Sequence, residues 1–247
     1  MRRLRIPLAL AAVLLVTGCG DARPGAVARA DRTASATATP IPTPTPRPPA
    51  GPPSGPLADV PLDLGYAEEN GDDHSPVQVT DQPGLRRLDH CEHLVWDPQA
   101  GTTDLIGVEF RGEAEWSRGR TLALYPSEEA AAHAVDVARA AVAGCPEQPG
   151  EEGYGTSHDL LDISLGDQSI AWADTYWSTS EGEQLHDTGL TVYHLVRVGQ
   201  VVLGSYEYGE GNGTDESRER AVTEATDADR PVVDAMRELS GSAGSPA

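Results

Sequence analysis

The sequence predicts an α+β fold, in which an antiparallel β-sheet packs against a few α-helices in a single domain. Residues 190–208 alternate in character around Gly199-Gln200, as a hairpin with a two-residue turn requires. Residues 128–143 carry apolar side chains at helical spacing. Helical and strand patterns do not alternate regularly along the chain, which favours antiparallel strands over βαβ units.

The helix over 128–143 has both of its ends marked in the sequence. Ser127 is a suitable N-cap, and two glutamates follow it in the first turn, where the helix dipole favours negative charge. Gly144 stands in the usual position just after a helix. The inward stripe consists of Ala131, Val135, Ala138 and Val142.

The remaining elements rest on shorter patterns. A short helix over 84–95 is predicted from the helical spacing of Leu85, Leu88, Cys91 and Val95. Strands are predicted over 105–116 and 120–125 with a turn at 117–119, and over 169–178 after a glycine-rich loop at 153–155. Pro231 predicts the start of a last helix, whose inward residues are Val232, Val233, Met236 and Leu239.

The hairpin turn at Gly199-Gln200 suits type II′ and sets the register of the two strands. Val196 then pairs with Leu203 and His194 with Ser205 on an apolar face, which we expect to meet helix 128–143. The opposite face carries Tyr193, Arg197, Tyr206 and Tyr208, here called the tyrosine face. It is either a platform for a ring-bearing or anionic small molecule, or half-buried sheet packing.

The charge balance excludes several classes of partner. The 247 residues include 39 acidic and 18 basic residues, with no lysine, and the net charge is −21. Nucleic acid and anionic lipid surfaces both require clustered cations, so neither is an expected partner.

The N-terminus reads as an export signal. Arg2, Arg3 and Arg5 precede the apolar run Ile6–Val16, which is too short to span a hydrocarbon core of about 30 Å. Val16-Thr17-Gly18-Cys19 resembles the bacterial lipobox. That resemblance implies a signal peptide over 1–18, diacylglycerol and palmitate on Cys19, and an extracytoplasmic protein anchored by lipid to the outer face of the cell membrane.

Composition divides the rest of the chain. Residues 19–65 are rich in proline and threonine and predict a disordered tether. Residues 66–240 have the length of one domain, and 241–247 predict a flexible tail. Arginine-rich, lysine-free composition is also typical of a high-GC actinobacterium.

With Cys19 lipidated, Cys91 and Cys145 remain, and outside the membrane a disulfide between them is expected. The alternative is a metal site of His90, Cys91, His93 and Cys145. It lacks the paired CxxC spacing of structural zinc, so we expect neither metal nor cofactor.

A wider pattern in the chain has four parts. They are the helix start Tyr125-Pro126-Ser127, the end of that helix at Gly144-Cys145, the run 165–169 and the run 196–203. Over about 85–240 it resembles actinobacterial surface lipoproteins related to the extracytoplasmic sensor domain of a mycobacterial Ser/Thr protein kinase. The resemblance implies an antiparallel sheet on helices with a concave, ligand-binding cleft. Those sensor domains carry two disulfides, whereas this chain has cysteines for one, and it has no kinase motifs.

Catalytic motifs are scarce. There is no GxSxG elbow, and motifs that need lysine are impossible. His194 and Ser205 form a Ser–His pair across the hairpin, either a dyad that needs an acid or a hydrogen-bonded core histidine. Acidic runs at 68–73 and 207–216 are either solvated loops or weak calcium sites.

The expected function is therefore a lipid-anchored, non-enzymatic, extracytoplasmic ligand-binding or sensor-like domain. Its expected partners are the membrane, through the Cys19 lipid, and an unknown small ligand or envelope protein. The first alternative is an interaction or structural module of the cell envelope, and the second is a hydrolase.

Overall fold

The computed structural model describes residues 55–66, 77–111, 116–150, 153–180, 183–209 and 213–242. Predictions for the signal peptide, for Cys19 and for most of the tether lie outside these ranges. No helix within them is both long and apolar enough to cross a membrane.

The described chain forms an α+β fold dominated by strands, which confirms the predicted fold class. Two strands, β1 (Leu88–His90) and β2 (His93–Trp96), form a separate hairpin. The main sheet has the order β3-β4-β9-β8-β7-β6-β5, with every neighbouring pair antiparallel. Its elements in chain order are β3 (Asp104–Arg111), β4 (Ser117–Leu124), α1 (Glu128–Gly144), β5 (Glu147–Pro149), β6 (Tyr154–Leu161), β7 (Gln168–Ser180), β8 (Glu183–Val198), β9 (Val201–Gly209) and α2 (Asp215–Ser242).

Helix α1 confirms its prediction closely. The Ser127 hydroxyl accepts a hydrogen bond from the Ala130 N–H at 3.2 Å, and the helix runs one residue past the predicted end, to Gly144. All four residues of the predicted stripe are fully buried, so this stripe attaches the helix to the sheet.

The β8–β9 hairpin has the predicted register. Val196 lies opposite Leu203, and Tyr193 lies opposite Tyr206. Gly199 has φ +57°, while Gln200 is not among the residues with positive φ, as a type II′ turn requires.

The two helices cover opposite faces of the sheet, and the predicted assignment of faces is wrong. The apolar face with Val196 and Leu203 packs against α2 and residues 57–66, while α1 packs on the face that carries Leu195 and Val202. Alternation separates the two faces correctly. It gives no information about which helix reaches which face, because Leu195 and Val202 make the second face apolar as well.

The predicted helix over 84–95 is wrong, because the segment forms the β1–β2 hairpin. Cys91 and Glu92 both have positive φ, 47° and 65°, as in a type I′ turn. Such turns usually contain asparagine, aspartate or glycine, so Cys-Glu gave no turn signal, and the helical spacing was coincidental.

Three further boundaries differ from the predictions. Residues 117–119 belong to β4 rather than to a turn, and the glycine-rich segment at 153–155 leads directly into β6. Helix α2 begins at Asp215, far before Pro231, and Thr214 caps it by accepting from the Ser217 N–H at 3.3 Å. Pro231 is tolerated inside α2 because buried side chains on both sides of it hold the helix on the sheet.

The tether ends earlier than predicted. Leu57, Val60, Leu62 and Tyr66 are at most 4% exposed and join the core beneath α2. Their spacing matches neither a strand nor a helix, so the sequence pattern did not reveal them. Residues 57–66 are therefore part of the folded core rather than of the tether.

Candidate functional site

The predicted disulfide is present between Cys91, in the β1–β2 turn, and Cys145, at the end of α1. Their Cα atoms lie 5.9 Å apart. The Cys91 N–H also donates to the Gln148 side-chain carbonyl at 2.9 Å. The bond thus fastens the hairpin to the segment that connects α1 with β6.

Beside this disulfide, two histidines share one buried aspartate. His158 Nδ1 lies 2.7 Å from Asp174 Oδ1, and His90 Nε2 lies 3.6 Å from Asp174 Oδ2. The two imidazole rings stack with centroids 3.8 Å apart. We call these three residues the His-His-Asp cluster.

All three residues of this cluster are buried. His90, His158 and Asp174 are 5%, 5% and 6% exposed. Burial lowers the pKa of His90, with the Asp174 carboxylate opposing that shift and His158 adding to it. The second nitrogen of each ring, His90 Nδ1 and His158 Nε2, has no hydrogen-bond partner.

The alternative metal set of the sequence analysis is not assembled. Both of its cysteines are in the disulfide, and His93 is exposed although it pairs with His90 across β1 and β2. Of the two histidines in that set, only His90 is buried. Its partners come from β6 and β7, and nothing in their sequence spacing relates them to His90.

The tyrosine face lies on the same side of the sheet as α1. Tyr193 stacks on Trp172 at a centroid distance of 4.9 Å, and burial raises its pKa. The ring centroids of Tyr206 and Tyr193 lie 6.5 Å apart, and both tyrosines are half-buried. Arg197 donates to the Gly199 carbonyl at 3.0 Å and pairs with Asp167. These contacts give Arg197 a role in holding the turn, and ligand binding by this face stays a prediction.

On the opposite side of the sheet, His194 and Ser205 meet an acid, but not in the order of a catalytic triad. Asp229 of α2 accepts from the Ser205 hydroxyl at 2.5 Å and lies 3.0 Å from His194 Nδ1. A nucleophilic serine would instead donate to the far nitrogen of the histidine. Here His194 Nε2 has no partner, and the His194 side chain is fully buried.

Arg120 completes this group, which we call the Asp229 network. Its Nε donates to Asp229 Oδ1 at 2.9 Å, and its other nitrogens donate to the carbonyls of Leu62, Leu64 and Ala228. Burial acts to raise the pKa of Asp229, but His194, Arg120 and Ser205 outweigh it and hold that pKa below its usual value. These contacts hold β4, β9, α2 and residues 62–64 together, so the network stabilises the fold.

A concave apolar surface, here called the α1 groove, lies between α1 and the β1–β2 hairpin. Its volume is about 410 Å³. Trp96 donates to the Tyr125 hydroxyl at 3.2 Å beneath it, and Leu94 and Val137 are exposed at 38% and 37%. The lining residues are Leu94, Val95, Trp96, Asp97, Ala100, Gly101, Tyr125, Pro126, Ala130, His133, Ala134 and Val137.

The acidic runs give no assembled cation site in the described part of the chain. The run at 68–73 lies outside the described residues, as do 210–212 of the second run. Asp215 pairs with Arg218 in the first turn of α2, and burial raises the pKa of Glu207.

No protein-family model matches the chain, and no curated protein matches it. Among solved structures, the chain is similar to the extracellular domain of PknH from Mycobacterium tuberculosis. The match has 16% sequence identity and a TM-score of 0.39, over 68% of this chain and 80% of that one. A mycobacterial extracellular domain is thus a structural neighbour, although a weak one that adds nothing to the assignment of a function.

Sequence reasoning missed both the His-His-Asp cluster and the α1 groove. The one available signal for the cluster was that His158 and Asp174 are polar residues flanked by strand patterns. The groove had no signal, because its β2 residues Leu94 and Val95 lie in a segment that was predicted as a helix and forms a hairpin.

Proposed function

We propose that this protein is a lipid-anchored, extracytoplasmic binding domain whose α1 groove takes a small, uncharged, apolar molecule. The observation that carries the proposal is the groove itself. Its volume falls within the range of small-molecule sites, about 300–1,000 Å³. Leu94 and Val137 are exposed to water in the groove. Contact with a ligand would remove their apolar surface from water, which is favourable.

The lining of the groove selects the class of ligand. It contains no arginine, and its polar side chains are Asp97, His133 and the Tyr125 hydroxyl. An anion would find no cation there and would approach a chain of net charge −21. The same charge opposes self-association through this face, so a small molecule fits better than a second copy.

Export and anchoring rest on other observations. Arg2, Arg3 and Arg5, the apolar run and Val16-Thr17-Gly18-Cys19 have the order of a lipoprotein signal. A Cys91–Cys145 disulfide suits an oxidising compartment. Binding without catalysis fits the Asp229 network, whose serine is bonded to the aspartate and whose histidine is out of reach of solvent.

The groove is tested with N-phenyl-1-naphthylamine, an uncharged apolar dye that fluoresces when bound. Val137→Glu places a charge in the groove at a position that is already exposed, and we expect at least tenfold weaker dye binding with an unchanged Tm. Ala140→Glu, also exposed on α1 but outside the lining, is the matched control and should bind as the wild type does.

Three results would count against the groove. The dye could fail to bind the wild type, or bind equally to Val137→Glu. Loss of binding in Tyr206→Ala or Arg197→Ala alone would move the site to the tyrosine face. A wild-type protein that binds no apolar probe but retains an envelope protein would favour the interaction-module alternative.

The anchor is tested in cells. Cys19→Ala should release the protein from membranes and leave the signal peptide uncleaved, because lipid attachment and cleavage both depend on that thiol. Fractionation and the mass of the intact protein measure both effects. A variant that still partitions with membranes and matures to the wild-type mass contradicts the lipoprotein proposal.

A further inference from the structure

We propose that the His-His-Asp cluster is a binding site for one divalent transition-metal ion, with Zn²⁺ as the best-fitting ion. This site is separate from the α1 groove and does not depend on the proposed function. It is the one group of three such side chains, within the part of the chain that the structure describes, whose donor atoms all lie close enough to share an ion.

The three donors converge from different strands. His90 ends β1, His158 lies in β6 and Asp174 lies in β7. Each offers one ligand atom, and these atoms lie within 4.8 Å of one another. Metal–nitrogen and metal–oxygen bonds to Zn²⁺ are about 2.0–2.2 Å long, so small side-chain rotations bring all three into contact with one ion.

The cluster is buried and incompletely bonded. Each of its side chains is at least nine-tenths buried, yet His90 Nδ1 and His158 Nε2 have no hydrogen-bond partner. An unbonded polar group in the interior costs about 1–3 kcal/mol, so such pairs need an explanation. Coordination of a metal ion by one nitrogen of each ring explains why these nitrogens have no partner. The Asp174 oxygen that does not bind the metal then accepts a hydrogen bond from a ring N–H, as in carboxylate–histidine–zinc arrangements.

The charges also favour a cation. The ion pairs of the described residues include no arginine beside Asp174, whose two partners are the histidines. A bound cation would therefore offset the buried carboxylate, as Arg120 does for Asp229.

A disulfide and a backbone hydrogen bond hold the two histidines in place. His90 directly precedes Cys91, which the disulfide joins to Cys145. The His158 N–H donates to the carbonyl of Pro146, the residue after Cys145, at 2.9 Å. The disulfide thus ties together the two segments that carry the histidines, and this pre-organises the site.

The donor set selects the ion. Two imidazoles and one carboxylate suit Zn²⁺ and its first-row neighbours, whereas Ca²⁺ and Mg²⁺ prefer oxygen ligands alone. Three protein ligands leave a fourth position of a tetrahedral ion for another ligand.

The test is isothermal titration of the full-length chain with Zn²⁺, and with Mg²⁺ for comparison. We expect one Zn²⁺ per chain, no Mg²⁺ binding, and a higher Tm with Zn²⁺ present. His158→Gln and Asp174→Asn should each bind Zn²⁺ at least about tenfold more weakly. His93→Gln is the matched control, because His93 lies beside His90 in the hairpin but is exposed, and it should bind as the wild type does.

A second measurement needs no variant in the core. In long-range ¹H–¹⁵N correlation spectra of the wild-type protein, Zn²⁺ should shift the ring nitrogens of two histidines and leave those of His93 and His133 in place. Absence of Zn²⁺ binding by the wild type overturns the proposal. So does equal binding by a folded His158→Gln variant, or a loss of binding in His93→Gln.

Discussion

The two buried carboxylates in the described part of the chain, Asp229 and Asp174, lie on opposite sides of one sheet and have different partners. Asp229, on the inner face of α2, faces the permanent charge of Arg120 and accepts hydrogen bonds on both oxygens. Asp174, on the side of α1, faces His90 and His158, whose charge depends on pH. A carboxylate paired with arginine already faces a permanent positive charge, whereas one paired with two imidazoles has neighbouring donors that can join it in coordinating a metal ion.

The difference also separates structure from candidate function. The Asp229 network links α2 with β4, β8, β9 and residues 62–64, and each side-chain partner of Asp229 comes from a different strand. The His-His-Asp cluster is held by a covalent bond instead, so its own polar contacts need not all contribute to stability.

The largest expected effect comes from removing the permanent charge. Arg120→Met leaves Asp229 buried without its cation and frees the carbonyls of Leu62 and Leu64, so we expect a loss of about 3–5 kcal/mol in the free energy of unfolding. Urea denaturation measures it. Arg230→Ala removes an exposed pair with Asp227 on the same helix and should cost less than about 1 kcal/mol. Equal losses in the two variants would remove the distinction drawn for Asp229.

The disulfide supports the other cluster. Cys145→Ser opens a loop of 54 residues in sequence separation, and we expect a loss of about 2–4 kcal/mol. Zn²⁺ binding should weaken in the same variant, because His90 and His158 are then no longer tied together. A variant that loses stability but binds Zn²⁺ as the wild type does would separate the disulfide from the cluster.

Ser205→Ala removes a hydrogen bond to a charged acceptor. We expect a loss of about 1.5–3 kcal/mol in the free energy of unfolding, because Asp229 keeps two of its three side-chain partners. Denaturation of Ser205→Ala beside Ser205→Thr, which retains the hydroxyl, measures that bond. A serine whose replacement leaves stability unchanged would reopen the hydrolase alternative.

The smallest effect is the dependence of stability on pH. Because burial lowers the pKa of His90, the folded protein binds fewer protons than the unfolded chain below about pH 6.5. This contribution to stability is complete above that pH and is lost as the pH falls through the lower, folded-state pKa. His90→Gln should flatten the acid side of the stability–pH curve, and His133→Gln, on an exposed position of α1, should not. An unchanged slope in His90→Gln would show that His90 is not the group responsible.

Local signals fixed those parts of the fold where one short segment contains all the necessary information. Ser127 and the stripe of α1 lie within one helix, and Gly199 with the alternation of β8 and β9 lies within one hairpin, so both were predictable. Segment 84–95 was not, because its hairpin depends on positive φ angles at Cys91 and Glu92 that the residue types do not favour. Residues 57–66 were missed for a related reason, since they are buried individually against α2 rather than along a regular element.

The sequence by itself determined the α+β class, the extent of α1, the register of the β8–β9 hairpin and the pairing of Cys91 with Cys145. These depend on neighbours in the chain or on there being only one available partner. Only the tertiary structure decided that α1 covers the tyrosine face, that Asp229 reaches Ser205 and that His90 meets His158 and Asp174. Those contacts join residues far apart in the sequence, where the pattern around each residue shows that it is buried but not what it is buried against.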